Sequence, residues 1–476
     1  MGEEGTTIGE LRRLFAPGLL LLYAASFFNF LSLALTLIPT ISQICLVIGG
    51  SPTAITSETA FVTVTAGFIG NVVLFCAAKY NCGLSDDVGR KPLLICSGVA
   101  FIVTRFLILA ADKASIFYLA ALIYGCFDNH YPCNLAYIAD ITTEKQRAKV
   151  YAVIVGFAVG LGFTIGAPLG GVLMERYGIP MPFYVSVATS ALYIVFILLV
   201  PFSDTLGNEE KKRRLPTSWS SFLRAHHPFS GLSLIRRAAI SPYDWATNYL
   251  GGVAQQTLQS IFLLYVEGVL GFTPAQAGEV FAFIGISIAI FGPLLLARWQ
   301  ELALVSTGML FSVLGFVFMS VAGVPGAKWM GYPGFLVIAV GGVWNSALTS
   351  VITLQYNTND LGSCAGVFAQ LRELAILPAY PISLFFAYSL SSHTISKGAA
   401  WLVAAVFLIL GVAVQVLVHK SSALTLKRRV VAVTPEPSTP DAVTDEQGQA
   451  HEEGEEVASP SSTVINPLQL QEVAKI

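Results

Sequence analysis

Gly83-Leu84-Ser85-Asp86-Asp87-Val88-Gly89-Arg90-Lys91-Pro92-Leu93 lies between two long apolar stretches, and the rest of the chain is read outward from it. Its two glycines permit a tight turn, because glycine reaches backbone angles that other residues avoid. Asp86 is placed to accept N–H groups from a neighbouring helix start. Arg90 and Lys91 supply the positive charge that collects on the cytoplasmic side of membrane proteins. A short charged turn with apolar runs on both sides is expected to link two membrane-spanning helices.

Composition agrees with that expectation. Of 476 residues, 54% are hydrophobic and only 12% charged, and the mean hydropathy is +0.68. Soluble domains carry about a quarter charged residues. Between Arg13 and Glu58 no side chain is charged, a stretch longer than the ~20 residues that cross a bilayer. The chain therefore reads as an integral membrane protein in a lipid bilayer. Its net charge of −2 offers nothing for nucleic acid to bind. The first apolar run, from about Phe15, is too long for a signal core and is expected to stay as the first helix. Cys45, Cys76, Cys82, Cys96, Cys126, Cys133 and Cys364 fall mostly inside apolar runs, without metal-ligand spacing. They read as small packing residues, so neither a metal nor a cofactor is expected.

Apolar runs give twelve candidate spans. The first six lie near 15–40, 58–80, 92–111, 115–138, 149–174 and 181–201. The second six lie near 241–267, 276–297, 300–323, 331–354, 364–390 and 398–418. Four regions follow: 1–201 with six helices, a polar central loop at 202–240, 241–419 with six more, and a tail at 420–476. The central loop holds Glu209, Glu210, Lys211, Lys212, Arg213 and Arg214 and cannot cross a membrane. With the N-terminus inside, the inner face collects Arg12, Arg13, Arg90, Lys91, Lys145, Arg147, Lys149, the central basic run and Lys427, Arg428 and Arg429. The outer face then holds Lys113, Arg176, Lys328 and Lys397. That asymmetry puts both termini in the cytoplasm. Beyond Arg429 the chain is rich in Pro, Ser and Glu and reads as a disordered tail that could bind cytosolic proteins.

The 83–91 stretch resembles the signature loop of the major facilitator superfamily of secondary transporters, with Gly83, Leu84, Asp86, Gly89, Arg90 and Lys91 at the family's positions. Six spans, a charged loop and six more spans resemble that family's layout. The resemblance implies an all-α membrane fold of twelve transmembrane helices in two six-helix bundles. Ala136-Tyr137-Ile138-Ala139-Asp140 with Glu144 and Arg147, His227-Pro228-Phe229-Ser230-Gly231-Leu232, and the run from Leu263 to Pro274 resemble its tetracycline- and drug-efflux-like branch. Hippocampus-abundant-transcript-type and folate-transporter-related carriers belong there. In that family Asp86, Arg90 and Asp140 would form a charge relay that latches the two halves. Gly162, Gly166, Gly170 and Gly171 resemble the antiporter motif, but Ala167 stands where its proline is expected. Their spacing of four also suits close helix packing.

Charges inside spans are costly and usually face a partner or a water-filled cavity. Asp128 falls near the middle of span four. Pro132 cannot donate to its carbonyl, so a kink is expected there. Tyr124, Asp128 and Tyr131 share one helix face, and Arg105 in span three is the candidate counter-ion. The pair reads either as a proton-coupling site or as a permanent brace. His130 could join a proton path or simply be packed. Arg372, beside Glu373 in span eleven, could bind an anionic group or reach lipid headgroups. Asn29, Gln255, Gln259, Asn345 and Thr349 lie in polar stripes of spans one, seven and ten. These spans and span four, with Tyr124 and Tyr131, line the central cavity in the family and are the candidate solute site with Arg372; helix–helix hydrogen bonds are the competing reading.

No nucleophile–base pair or phosphate-binding loop is present, so neither an enzyme nor an ATP-driven pump is expected. The expectation is a secondary active transporter of a small organic solute by alternating access, with or without protons. A facilitative carrier such as a sugar porter, or a non-transporting sensor on the same fold, is the alternative. Substrate, direction of transport, host membrane and oligomeric state are not encoded legibly.

Overall fold

Apolar helices long enough to span a bilayer dominate the chain because every backbone polar group in lipid must be satisfied internally. The computed structural model describes residues 17–128, 130, 133–134, 137–138, 150, 154–200, 227, 242–299, 301–354, 361–392 and 396–433. Its helices are α1 (Pro17–Gly49), α2 (Ser57–Val88), α3 (Arg90–Leu109), α4 (Ala114–Phe127), α5 (Leu161–Tyr177) and α6 (Pro180–Leu199). After the central loop come α7 (Pro242–Tyr265), α8 (Pro274–Arg298), α9 (Glu301–Ala322), α10 (Gly331–Gly341 and Val343–Leu354), α11 (Leu361–Leu374 and Ile376–Ser391) and α12 (Ala399–Val433). Each matches one expected span. Eight apolar stretches in the described residues are long enough to cross a membrane. The chain divides into residues 1–423, which hold the whole bundle, and 424–476, where only 424–433 are described, as helix.

Local sequence explains the helix ends. Thr56 caps α2, its hydroxyl accepting from the Thr59 N–H at 3.2 Å while Thr59 accepts from the Thr56 N–H at 2.8 Å. Thr273 and Gln276 make the same reciprocal cap on α8, with Pro274 in its first turn. The 83–91 stretch is more helical than a two-glycine turn implies. Gly83 to Val88 continue α2, and the reversal falls on Gly89 alone, at φ +106° and ψ +158°.

Among the described residues, spans four, ten and eleven are interrupted. α4 stops at Phe127, Asp128 sits at ψ +77°, and helix resumes at His130. Pro132, without an N–H for the Asp128 carbonyl, accounts for the break. Likewise Pro378 offers no N–H to Leu374, and α11 is interrupted at Ala375. In α10 the Gly341-Gly342 pair is where the turn tightens, with Asn345 N–H bonding the Gly342 carbonyl at 3.2 Å.

Small residues set the helix spacing. A Cβ added at Gly162 would lie 2.8 Å from Phe30 Cβ, at Gly166 2.7 Å from Ala34 Cβ, and at Gly170 2.2 Å from the Leu35 carbonyl oxygen. These glycines thus seat α5 on α1. The first six helices meet the second six along two seams. In one, Gly171 of α5 faces Pro274 of α8, and Gly278 and Gly285 of α8 face Ala167 and Gly160. In the other, α2 packs on α11, with Phe68 stacked on Tyr380 at 4.2 Å and Thr65 bonded to the Tyr380 hydroxyl at 3.2 Å. Exposed leucines, isoleucines and valines such as Leu198, Leu199 and Ile290 clothe the outside, as a lipid-facing surface requires.

Candidate functional site

The break in α4 brings ionisable side chains together inside the bundle. Arg105 of α3 is only 5% exposed, its guanidinium 5.4 Å above the Phe101 ring, and Phe101 meets Tyr124 edge-on at 5.3 Å. This aromatic wall holds the cation where lipid or water would otherwise surround it. Asp128, half-buried at the break, accepts hydrogen bonds from the Tyr124 hydroxyl and the His130 backbone N–H, and feels the charge of Arg105. Arg105 Nε and Nη2 are buried without a hydrogen-bond partner among the described residues. Asn81 of α2 donates to the Cys126 carbonyl at 2.9 Å and ties down the broken end.

A second charged group approaches across the α2–α11 seam. Glu373 accepts from Gln256 Nε2 of α7 at 3.0 Å, and the same amide lies 3.5 Å from Asn71 Oδ1 of α2 and 3.4 Å from the Arg372 carbonyl. Glu373 interacts electrostatically with both Arg372 and Asp128, and Tyr124 with Glu373. One polar cluster therefore spans helices α2, α3, α4, α7 and α11 and both halves of the bundle.

The imidazole of His130 bonds elsewhere. Asn134 Nδ2 sits 3.0 Å from its Nε2, and its Nδ1 sits 3.1 Å from the Tyr193 hydroxyl, which itself donates to the Leu94 carbonyl at 3.0 Å. The Tyr193 proton is spent on Leu94, so the Tyr193 oxygen is placed to accept from Nδ1. Its ring packs edge-on against Phe30 and Tyr193.

The remaining expected residues scatter. Asn29 is buried in α1, Gln255 is half-buried and Gln259 exposed. Thr349 bonds back to the Asn345 carbonyl at 2.7 Å, and Asn345 Oδ1 is buried without a hydrogen bond. Arg372 is half-buried, with Nε lacking a partner. Tyr131 and Asp140, and the side chain of Asp86, lie outside the described residues; Gly83 continues α2. Of the relay residues, Arg90 Nη1 donates to the Ser85 hydroxyl, and Lys91 Nζ donates to the Val200 carbonyl at 2.5 Å. Gln256 and Asn71 are the residues that sequence reasoning missed. Their one signal was a single amide in mid-span, with Gln256 lying one place from the polar stripe assigned to Gln255 and Gln259.

Residues 19–380 match the model of the Major Facilitator Superfamily. The chain is 25% identical over 351 residues to the class C tetracycline resistance protein of Escherichia coli, covering 70% of this chain and 81% of that one. It is 29% identical over 315 residues to hippocampus abundant transcript-like protein 1 of Bos taurus, covering 64% of this chain and 60% of that one. Among solved structures, the human organic anion transporter MFSD10 (TETRAN) superposes with a TM-score of 0.64 at 19% identity, over 84% of this chain and 99% of the other. The nucleoside transporter NupG superposes at 0.61 and 14% identity over the same shares.

Proposed function

The chain belongs to the major facilitator superfamily and is a multi-pass membrane transport protein, and from that premise we propose that it is a secondary active transporter of a small organic solute, driven by protons through Asp128. The observation that carries the reading is the polar cluster around Arg105, Tyr124, Asp128 and Glu373. Charged side chains at this depth are expensive, and where they occur they commonly form solute sites and proton relays. Asp128 stands at a helix break, where the backbone can change shape without dismantling a continuous helix. The cluster also joins residues from both halves, so rocking of one half against the other must rearrange it. Tyr124 and Arg105 then hold the carboxylate in one arrangement and release it in the other. The bundles 1–201 and 241–419 serve as the two moving halves, with both termini and the central loop in the cytoplasm.

Purified protein in sealed proteoliposomes tests this with a solute panel comprising a tetracycline, an organic anion and a nucleoside. An imposed pH gradient should drive at least one of them above its equilibrium distribution, and a proton ionophore should collapse the accumulation. Flux that only equilibrates would identify a facilitative carrier. No flux of any solute would leave a sensor.

A further inference from the structure

Resting on that transporter reading, we infer that the site binds an anionic organic solute on the Arg105 guanidinium, and that the solute enters together with a proton taken up by Asp128 or Glu373. Arg105 is only 5% exposed, yet among the described residues its Nε and Nη2 make no hydrogen bond. Buried donors are ordinarily satisfied, and a charged one left open is costly. The nearby carboxylate does not relieve it at those atoms, since Asp128 is held by the Tyr124 hydroxyl and the His130 N–H. Across the seam the arrangement repeats. Glu373 is held by Gln256 at 3.0 Å, while Arg372 Nε is buried without a partner. Each half thus offers a guanidinium with donors to spare beside a carboxylate engaged by neutral groups.

A guanidinium fork matches the two oxygens of a carboxylate, sulfonate or phosphate; a neutral acceptor would engage those donors without the charge-assisted paired bonds, and a cation would be repelled. The charge count then fixes the coupling. The ionisable groups that face one another are Arg105 on α3, Tyr124 and Asp128 on α4, Tyr193 on α6, and Arg372 and Glu373 on α11; α7 and α2 contribute the uncharged Gln256 and Asn71. Two cations and two carboxylates balance. An entering anion would leave net negative charge in a medium of low dielectric, where it is strongly disfavoured. One proton on Asp128 or Glu373 restores neutrality and frees the neighbouring guanidinium for the solute. Anion and proton therefore travel in the same direction.

Thermal unfolding of the full chain in detergent reads this directly, using sulfonates and carboxylates matched in size with quaternary ammonium ions and alcohols; benzenesulfonate, benzyltrimethylammonium and benzyl alcohol form one such set. Anions alone should raise the melting temperature, and more at about pH 5.5 than at about pH 8. Arg105→Gln should weaken anion binding by about tenfold or more, with Arg105→Lys between it and wild type. The double variant Asp128→Asn, Glu373→Gln should bind anions equally at both pH values. Stabilisation by the ammonium ions or alcohols, by no probe at all, or unchanged anion binding in Arg105→Gln would overturn the inference. Should Arg105→Gln fail to fold, undiminished binding in Arg105→Lys would do the same. Anion binding in detergent without flux in proteoliposomes would refute transport, and with it the shared passage of anion and proton, while leaving the anion site on Arg105 standing. Flux of only cationic or neutral solutes would refute the inference and leave transport standing.

Discussion

Gly89 sits at φ +106° and ψ +158°, a region that is essentially glycine's alone and costs other residues roughly 1–3 kcal/mol. Gly89→Val should therefore lower the melting temperature by several degrees and reduce expression. A melting curve identical to wild type would show that the turn relaxes to another geometry. Asp86→Asn is expected to slow turnover without lowering the melting temperature, because the residue lies at the polar end of α2 and its proposed role is in the relay. Normal transport by this variant would remove Asp86 from that role. At this scale the sequence is readable where a residue is out of place. Asp128 and Arg105 are conspicuous because charge is rare in an apolar run, and Pro132 places the break beside them. Gln256 and Asn71 are less conspicuous. An amide is tolerated in many helix contacts, and only the rotation of α7 decides that Gln256, rather than Gln255 or Gln259, meets Glu373.

Helix contacts depend on how closely two backbones approach, and the glycines of α5 make this testable. A Cβ at Gly170 would fall 2.2 Å from the Leu35 carbonyl oxygen, whereas one at Gly67 in α2 meets nothing within 4 Å. Gly170→Ala should therefore separate α5 from α1 and destabilise the fold. Gly67→Ala should be neutral or stabilising by up to about 1 kcal/mol through helix propensity. Melting temperatures of the two variants would settle the comparison, and equal effects would contradict the packing described. Spans were legible because twenty apolar residues in lipid have few alternatives to a helix. The interruptions of α10 and α11 were less so. Pro378 signals a missing hydrogen bond, but whether a helix bends or breaks there depends on neighbours that the sequence does not rank.

For the whole molecule, the distribution of Lys and Arg predicts that the central loop around Lys211 and the segment after Lys420 share the cytoplasmic face. Protease added to right-side-out vesicles should spare both, and cleavage of either from outside would reverse the orientation. The six-plus-six arrangement was legible from apolar runs and the charged loop between them. The meeting of Asp128 with Glu373 was not, because it depends on how α2 docks on α11, a contact between segments about three hundred residues apart. That meeting underlies the proposal that protons drive transport. The most direct test is substrate-linked proton movement in proteoliposomes, followed with an entrapped pH indicator in wild type and Asp128→Asn. Wild type should move protons with solute; Asp128→Asn should exchange solute across the membrane while moving none. Equal proton movement in both would contradict the assignment of coupling to Asp128, reducing it to a structural brace and leaving Glu373 as the carboxylate of the cluster that can carry the proton.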